Sequence, residues 1–330
     1  MKVLFIKARH IILTVLILFF MLALIFKPDS YMQSVTNGLL IWLNSVLPAL
    51  FPFFFFSGLL IKMRAVDKLG IMLSRPMTTL FHCPGSSGII YLLSIISGYP
   101  VGAKITSEMY ARGALTTAQV MRINAFASTS GPLFIVGSVG VGMFVDHTCG
   151  IIMLISHLLG ALLNGILYRN YHYTKSEQTN KQFSSAKTED ILSSTMYDSI
   201  ISILLVGGYI AIFFILIDVL FNIGLLTALS TILAQILSFL GLSADLATGI
   251  TSGLFEITRG CFDLSKTGID LKTIAPIACA IISWGGLCIH LQALTFLSKC
   301  GISKPIFFLQ KFTQCTLSGF ICWLLSTILM

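Results

Sequence analysis

Ser97-Gly98-Tyr99-Pro100-Val101-Gly102-Ala103-Lys104, followed by Glu108 and Arg112, interrupts sequence that is otherwise apolar enough for a membrane. About 155 positions later comes a second interruption, Ser252-Gly253-Leu254-Phe255-Glu256-Ile257-Thr258-Arg259-Gly260; matching breaks in two halves of an apolar chain point to a solute site at membrane depth. Unwound backbone and half-helix ends supply polar groups there, and such backbone is tolerated only where protein or a water-filled cavity surrounds it.

Composition frames these two stretches. The 330 residues are 56% hydrophobic and 10% charged, with a mean hydropathy of +0.92. A soluble domain carries roughly 25% charge, so the expected class is an all-α polytopic membrane protein of about eight apolar segments. The formal charge of +8 is scattered through short loops with no aromatic-interleaved basic surface, which excludes a nucleic-acid reading and fits positive charge retained on the cytoplasmic side. Eight cysteines form no CxxC pair and sit mostly in apolar runs, so neither a disulfide framework nor a metal site is expected.

Lys2, Lys7 and Arg9 precede an apolar run from Ile11 to Phe26 that Lys27-Pro28-Asp29 closes without a small-x-small cleavage pattern. It reads as an extra N-terminal transmembrane helix (1–34) with its N-terminus in the cytoplasm. Beyond it the chain reads as five elements used twice. A first repeat (35–169) holds a span at 36–61, an interfacial helix at 66–80, a broken hairpin at 87–112, a broken span at 116–144 and a plain span at 147–169. A second (193–330) runs 193–221, 225–241, 246–265, 272–297 and 303–326. Between them, 170–192 is polar and reads as a cytoplasmic linker. If interfacial helix and hairpin make no net crossing, each repeat crosses three times and the second is inverted. Lys62, Arg64, Lys68, Arg75, Arg112, the linker lysines, Lys299 and Lys304 then share the cytoplasmic side, with Asp146 opposite, as the positive-inside rule asks. Lys266 and Lys272 count against it, and 225–241 is left open between spanning and lying flat.

The candidate chemistry gathers at four places. In the first hairpin Ser97, Gly98 and Tyr99 precede Pro100, which lacks an N–H, and a new helix starts there with free N–H groups suited to an anion. Lys104, Glu108 and Arg112 follow at four-residue spacing on one face, either a self-neutralising stripe or a solute-facing one. In the second hairpin Ser252 and Gly253 precede Glu256 and Arg259, which read either as a structural ion pair or as a proton partner and an anion ligand. The broken spans carry Asn124, Ser128, Thr129, Ser130, Gly131 and Pro132, and then Ser283, Trp284, Gly285 and Gly286. Hydroxyls beside such an interruption either repair a kinked helix or bind a polar solute. His290 and Gln292 extend that lining; His157 and His290 each read more simply as buried, hydrogen-bonded residues. No nucleophile elbow, HExxH or P-loop occurs, so the expectation is a carrier or facilitator of a small polar solute, not an enzyme, with no cofactor.

The 97–104 run, the Asn124–Pro132 segment, Leu254 to Gly260 and the entry Leu47-Pro48-Ala49-Leu50-Phe51-Pro52-Phe53 resemble the sporulation integral membrane protein YlbJ (SpoVV) family, grouped with the nucleoside-recognition Gate-domain proteins. The resemblance covers the chain from about residue 36 onward and implies two inverted-topology repeats with broken helices. It also implies a multi-pass protein of the outer forespore membrane that moves dipicolinate, a small anionic solute, from mother cell toward forespore. On that implication Lys104 and Arg259 would meet two carboxylates, and Tyr99 or Trp284 would stack on the ring. Two other readings stand beside it: a nucleoside or other metabolite carrier, and a non-transporting assembly protein of the spore envelope. The oligomeric state is left open.

Overall fold

A computed structural model describes residues 14, 15, 17–174 and 191–330, and every regular element among them is helical. A short apolar helix α1 (Ile17–Phe26) ends at Lys27, and Pro28, whose missing N–H costs nothing at a helix start, opens α2 (Pro28–Ile41). A π-helical turn, Trp42–Val46, leads into α3 (Leu47–Lys62). Then come α4 (Ala65–Phe81), α5 (Ser86–Ser97), α6 (Val101–Ala111) and α7 (Thr117–Phe126). After a break, a π-helical segment (Leu133–Met143) precedes α8 (His147–Leu167). The second half holds α9 (Ile191–Asn222), α10 (Leu225–Phe239), α11 (Leu246–Phe255), α12 (Ile257–Ser265), α13 (Leu271–Trp284), α14 (Gly286–Leu297) and α15 (Lys304–Leu329). Helices follow the anticipated order in each half, and the first hairpin and both broken spans break at the expected residues, whereas α11 continues through Ser252 and Gly253 so that the second hairpin breaks at Glu256. The linker at 175–187 lies outside the described residues.

Local chemistry sets several boundaries. Thr116 and Gln119 make a reciprocal capping box at the start of α7 (3.2 and 2.9 Å), and Asp146 Oδ1 accepts the Cys149 N–H at 2.7 Å to start α8. Among the described residues, four helices are long and apolar enough to cross a membrane: His147–Leu167, Ile191–Asn222, Leu271–Cys300 (α13 and α14 together) and Lys304–Leu329. A bent pair, α4 and α5, meets at 90° and would make a fifth if it were one span. The other apolar segments are shorter, which is why the count falls below the eight expected from composition. The large exposed apolar surface on these helices is what lipid-facing elements require. On α10 it includes Leu229, Ile232, Ile236 and Phe239.

Contacts between elements recur with the halves exchanged. Helices α2 and α3 pack on α9, and α8 packs on α15, so corresponding elements pair with each other. Helix α6 packs on α14 while α12 packs on the π-helical segment; α7 meets α15 while α13 meets α8. These contacts match elements that hold the same positions in the two halves. At the α8–α15 seam a Cβ on Gly160 would lie 2.1 Å from Ser318 Oγ, the close approach that small residues permit between membrane helices. Lys62 ties α3 to α9 through Asp198 (2.8 Å) and Ser194 (2.8 Å).

The inverted orientation has a direct test. With native cysteines replaced, Val145→Cys, at an 85% exposed position before α8, is expected to react only with reagent on the face opposite the cytoplasm. A cysteine placed in the 175–187 linker is expected to react only from the cytoplasm. Labelling of both from one face would refute the three-crossing repeat. Seven of the eight native thiols are buried, so the cysteine-free background is a necessary control.

Candidate functional site

The four helix interruptions converge. Gly98, with φ +82° and ψ −171°, turns the first hairpin so tightly against the first broken span that a Cβ there would sit 2.7 Å from Gly131 N. In the other half Gly286, with φ +65°, brings the second broken span against the second hairpin, where a Cβ would lie 2.8 Å from Phe255 O. Only glycine fits such positions without strain. Each hairpin tip therefore abuts the broken span of its own half.

His157 of α8 links the two spans. Its Nε2 accepts the Ser130 N–H at 2.9 Å and its Nδ1 lies 2.7 Å from Ser283 Oγ. Because Nε2 is an acceptor, the geometry assigns the neutral Nδ1–H tautomer, donating to Ser283. The ring is fully buried, so the sequence reading of a hydrogen-bonded core histidine matches its placement.

A cavity of about 680 Å³ opens between the hairpin tips. Ser97, Gly98 and Tyr99 of the first tip, Ser130 and Gly131 of the first break, and Glu256 of the second tip line it, with Gln292 of α14 beside them. The rest is mainly apolar wall, including Leu50, Phe53, Phe134, Val206 and Ile210. Ser97 Oγ is buried and has no hydrogen-bond partner, so it is free for one that enters. Among the described residues lining the cavity, Glu256 is the one Asp, Glu, Lys, Arg or His. Its carboxylate caps α12, with Oε1 accepting the Thr258 N–H at 3.0 Å and Oε2 the Arg259 N–H at 2.8 Å. The second hairpin thus places an acidic side chain of its own at the helix N-terminus, where it takes up two of the free N–H groups.

Other residues singled out in the sequence find partners away from the cavity. Lys104 pairs with Glu108 at 3.0 Å and lies 5.1 Å from the Phe54 ring centre, and Arg112 donates to the Ile61 carbonyl at the end of α3. Of the two readings of that stripe, these contacts are those of the self-neutralising one. Arg259 does not pair with the Glu256 carboxylate; its Nε meets Asp263 at 3.1 Å and its Nη1 lies 3.8 Å from Asp218. Ser252 donates to the same Asp263 at 2.6 Å, and Gly253 packs against Gly260. Asn124 donates to Gln310 at 2.9 Å, inside a network that continues to Asn164 and Thr313. Thr129 lies 3.0 Å from Ser94 Oγ, Trp284 donates to the Leu254 carbonyl at 3.3 Å, and Gly285 takes a left-handed turn at the end of α13. Ser128 faces away from the cavity toward α15.

There it meets a residue that hydropathy passed over. Lys311 of α15 is 1% exposed, and its ammonium donates to Ser128 Oγ, to Ser128 O at 3.3 Å and to Gln314 Oε1 at 3.3 Å. The Tyr99 ring centre is 4.9 Å from Nζ, so the tyrosine separates this charge from the cavity. The signal was present as Gln310-Lys311-x-x-Gln314 inside a 26-residue apolar helix, since charge at membrane depth is costly and rarely idle.

Among known proteins the chain is 29% identical over 328 aligned positions to the sporulation integral membrane protein YlbJ of Bacillus subtilis (strain 168), covering 93% of this chain and 80% of that protein. No family model and no solved structure matches. The alignment takes in most of both halves, so the chain is similar to this sporulation integral membrane protein along most of its length.

Proposed function

We propose that this protein serves in sporulation as a carrier or facilitator for a small anionic solute, and that the solute is dipicolinate crossing the outer forespore membrane from the mother cell. The observation that carries the transport reading is the cavity where both broken hairpins and the first broken span meet, with Ser97, Tyr99, Ser130 and Glu256 on its wall. Cavities between broken helices are where secondary carriers hold their solutes. The volume admits a ring-sized molecule with room to spare, the apolar walls suit a planar face, and Tyr99 offers both a ring and a hydroxyl. A carboxylate would meet the Ser97 hydroxyl and the start of α6, with the Lys311 charge one ring-thickness behind.

A second reading rests on the same wall. Because Glu256 is the charged group facing the cavity, and Lys104 and Arg259 are engaged elsewhere, a neutral polar metabolite such as a nucleoside suits the lining without charge pairing. Proteoliposomes distinguish the two. Uptake of dipicolinate that excess nucleoside does not inhibit supports the first, and the converse result supports the second. In cells, a deletion strain is expected to make dipicolinate normally yet give spores poor in it. Spores of normal content would refute this solute while leaving the carrier reading to the nucleoside test. Arg259→Gln is expected to lower protein abundance without lowering uptake per molecule, because its contacts are to Asp263 and Asp218; a selective loss of uptake would return Arg259 to the solute path.

A further inference from the structure

The three oxygens around Lys311 make a cation site. Ser128 O and Oγ and Gln314 Oε1 are neutral hard donors, and among the described residues no carboxylate pairs with this ammonium. Ser128 lies just past the C-terminal end of α7, where unsatisfied carbonyls concentrate negative potential. Broken-helix carriers hold small cations with this combination of unwound carbonyls and half-helix C-termini. Gln314 Nε2 also donates to Ser128 O at 3.0 Å, fixing the carbonyl toward the charge. The equivalent element of the first half supplies His157, a neutral imidazole, to the neighbouring Ser130 of this same break. One half-break is thus bridged by a neutral ring and the adjoining carbonyl is filled by a charge.

We propose that the Lys311 ammonium is a tethered cation, occupying at Ser128 and Gln314 a site that would otherwise take a small monovalent ion, so that the break after α7 is stabilised without bound sodium. Its consequence for coupling, that solute movement does not require sodium at this site, rests on the transport reading; the occupancy itself does not. A covalently delivered charge loses less freedom on binding than a diffusing ion and cannot dissociate.

The experiment is a thermal melt of the purified full chain at constant ionic strength in choline, potassium, sodium or lithium chloride. Lys311→Ala opens room beside the same oxygens and is expected to gain a saturable stabilisation by sodium or lithium, a rise of about 2–4 °C over choline. Wild type and Lys311→Met, whose apolar chain fills the path without charge, are expected to show no such rise. A Lys311→Ala protein no more responsive to these ions than wild type would overturn the proposal, as would a sodium response in wild type that Lys311→Ala abolishes. If Lys311→Ala does not accumulate, the exchange Lys311→Gln with Gln314→Lys delivers an ammonium to Ser128 from one turn later and is expected to restore accumulation; failure to restore it also overturns the proposal. Uptake by wild-type proteoliposomes is expected to be equal in sodium, potassium and choline. Absence of any uptake would count against the transport reading alone, because the melts do not depend on it.

Discussion

Gly98→Ala and Gly286→Ala are each expected to destabilise the protein by about 3 kcal/mol, adding backbone strain at a positive φ to a clash with neighbouring backbone. At Gly98 the added methyl would press on Gly131 N at 2.7 Å, and at Gly286 on Phe255 O at 2.8 Å; neither partner is a side chain that can rotate aside. Gly208 provides the control, since nothing lies within 4 Å of a Cβ there and it sits within α9. Gly208→Ala should leave the melting temperature unchanged or slightly raised, as a gain in helix propensity predicts. Melting in detergent and membrane abundance give the readout. Equal behaviour of all three variants would mean that the meeting of tip and break is not a stability determinant.

Glu256→Gln is expected to reduce transport to under a tenth of wild type, at least 1.4 kcal/mol in the barrier, while the protein still accumulates. The amide has one acceptor oxygen where the carboxylate has two, so either Thr258 N–H or Arg259 N–H loses its partner, and the charge at the start of α12 is lost as well. Loss of a cap costs about 1 kcal/mol, too little to empty the membrane of protein. Glu256→Ala removes both acceptors and should lower the melting temperature further. The measurement is initial uptake rate per molecule alongside a melt. Normal uptake by Glu256→Gln with a lowered melting temperature would make Glu256 a cap and nothing more. Lys104→Ala is the contrasting case: it leaves Glu108 facing a buried position without its partner, so a fall in abundance is expected instead of a specific loss of uptake.

Element order was legible because Gly and Pro inside apolar runs have few meanings in a membrane. Ser97 to Pro100, Ser128 to Pro132 and Ser283 to Gly286 all break helices where the sequence says they should. What faces what was not legible. Four-residue spacing shows that Lys104 and Glu108 are neighbours, but not that they turn to each other and to Phe54 instead of to a solute. Arg259 at three residues from Glu256 suggested a pair, whereas Asp263 one turn on and Asp218 on α9 were better placed for its guanidinium. Lys311 was missed for the opposite reason: hydropathy averaged over a span conceals one charge, and its partners, Ser128 and Tyr99, are distant in sequence.

The imidazole that joins Ser130 to Ser283 also constrains how the molecule can move. Helix α8 is packed on α15 and on the π-helical segment, α13 is packed on both α8 and α15, and His157 pins the two breaks together at their centre. These elements come from both halves of the chain, as do α2, α3 and α9, which pack against one another. A stroke that slid one sequence half past the other would have to pull the buried imidazole from Ser283, while Ser130, in the same half as His157, would travel with it. On the transport reading proposed above, each rigid body would therefore borrow helices from both halves of the chain, with hinges between those bodies and not at the stretch that divides the sequence.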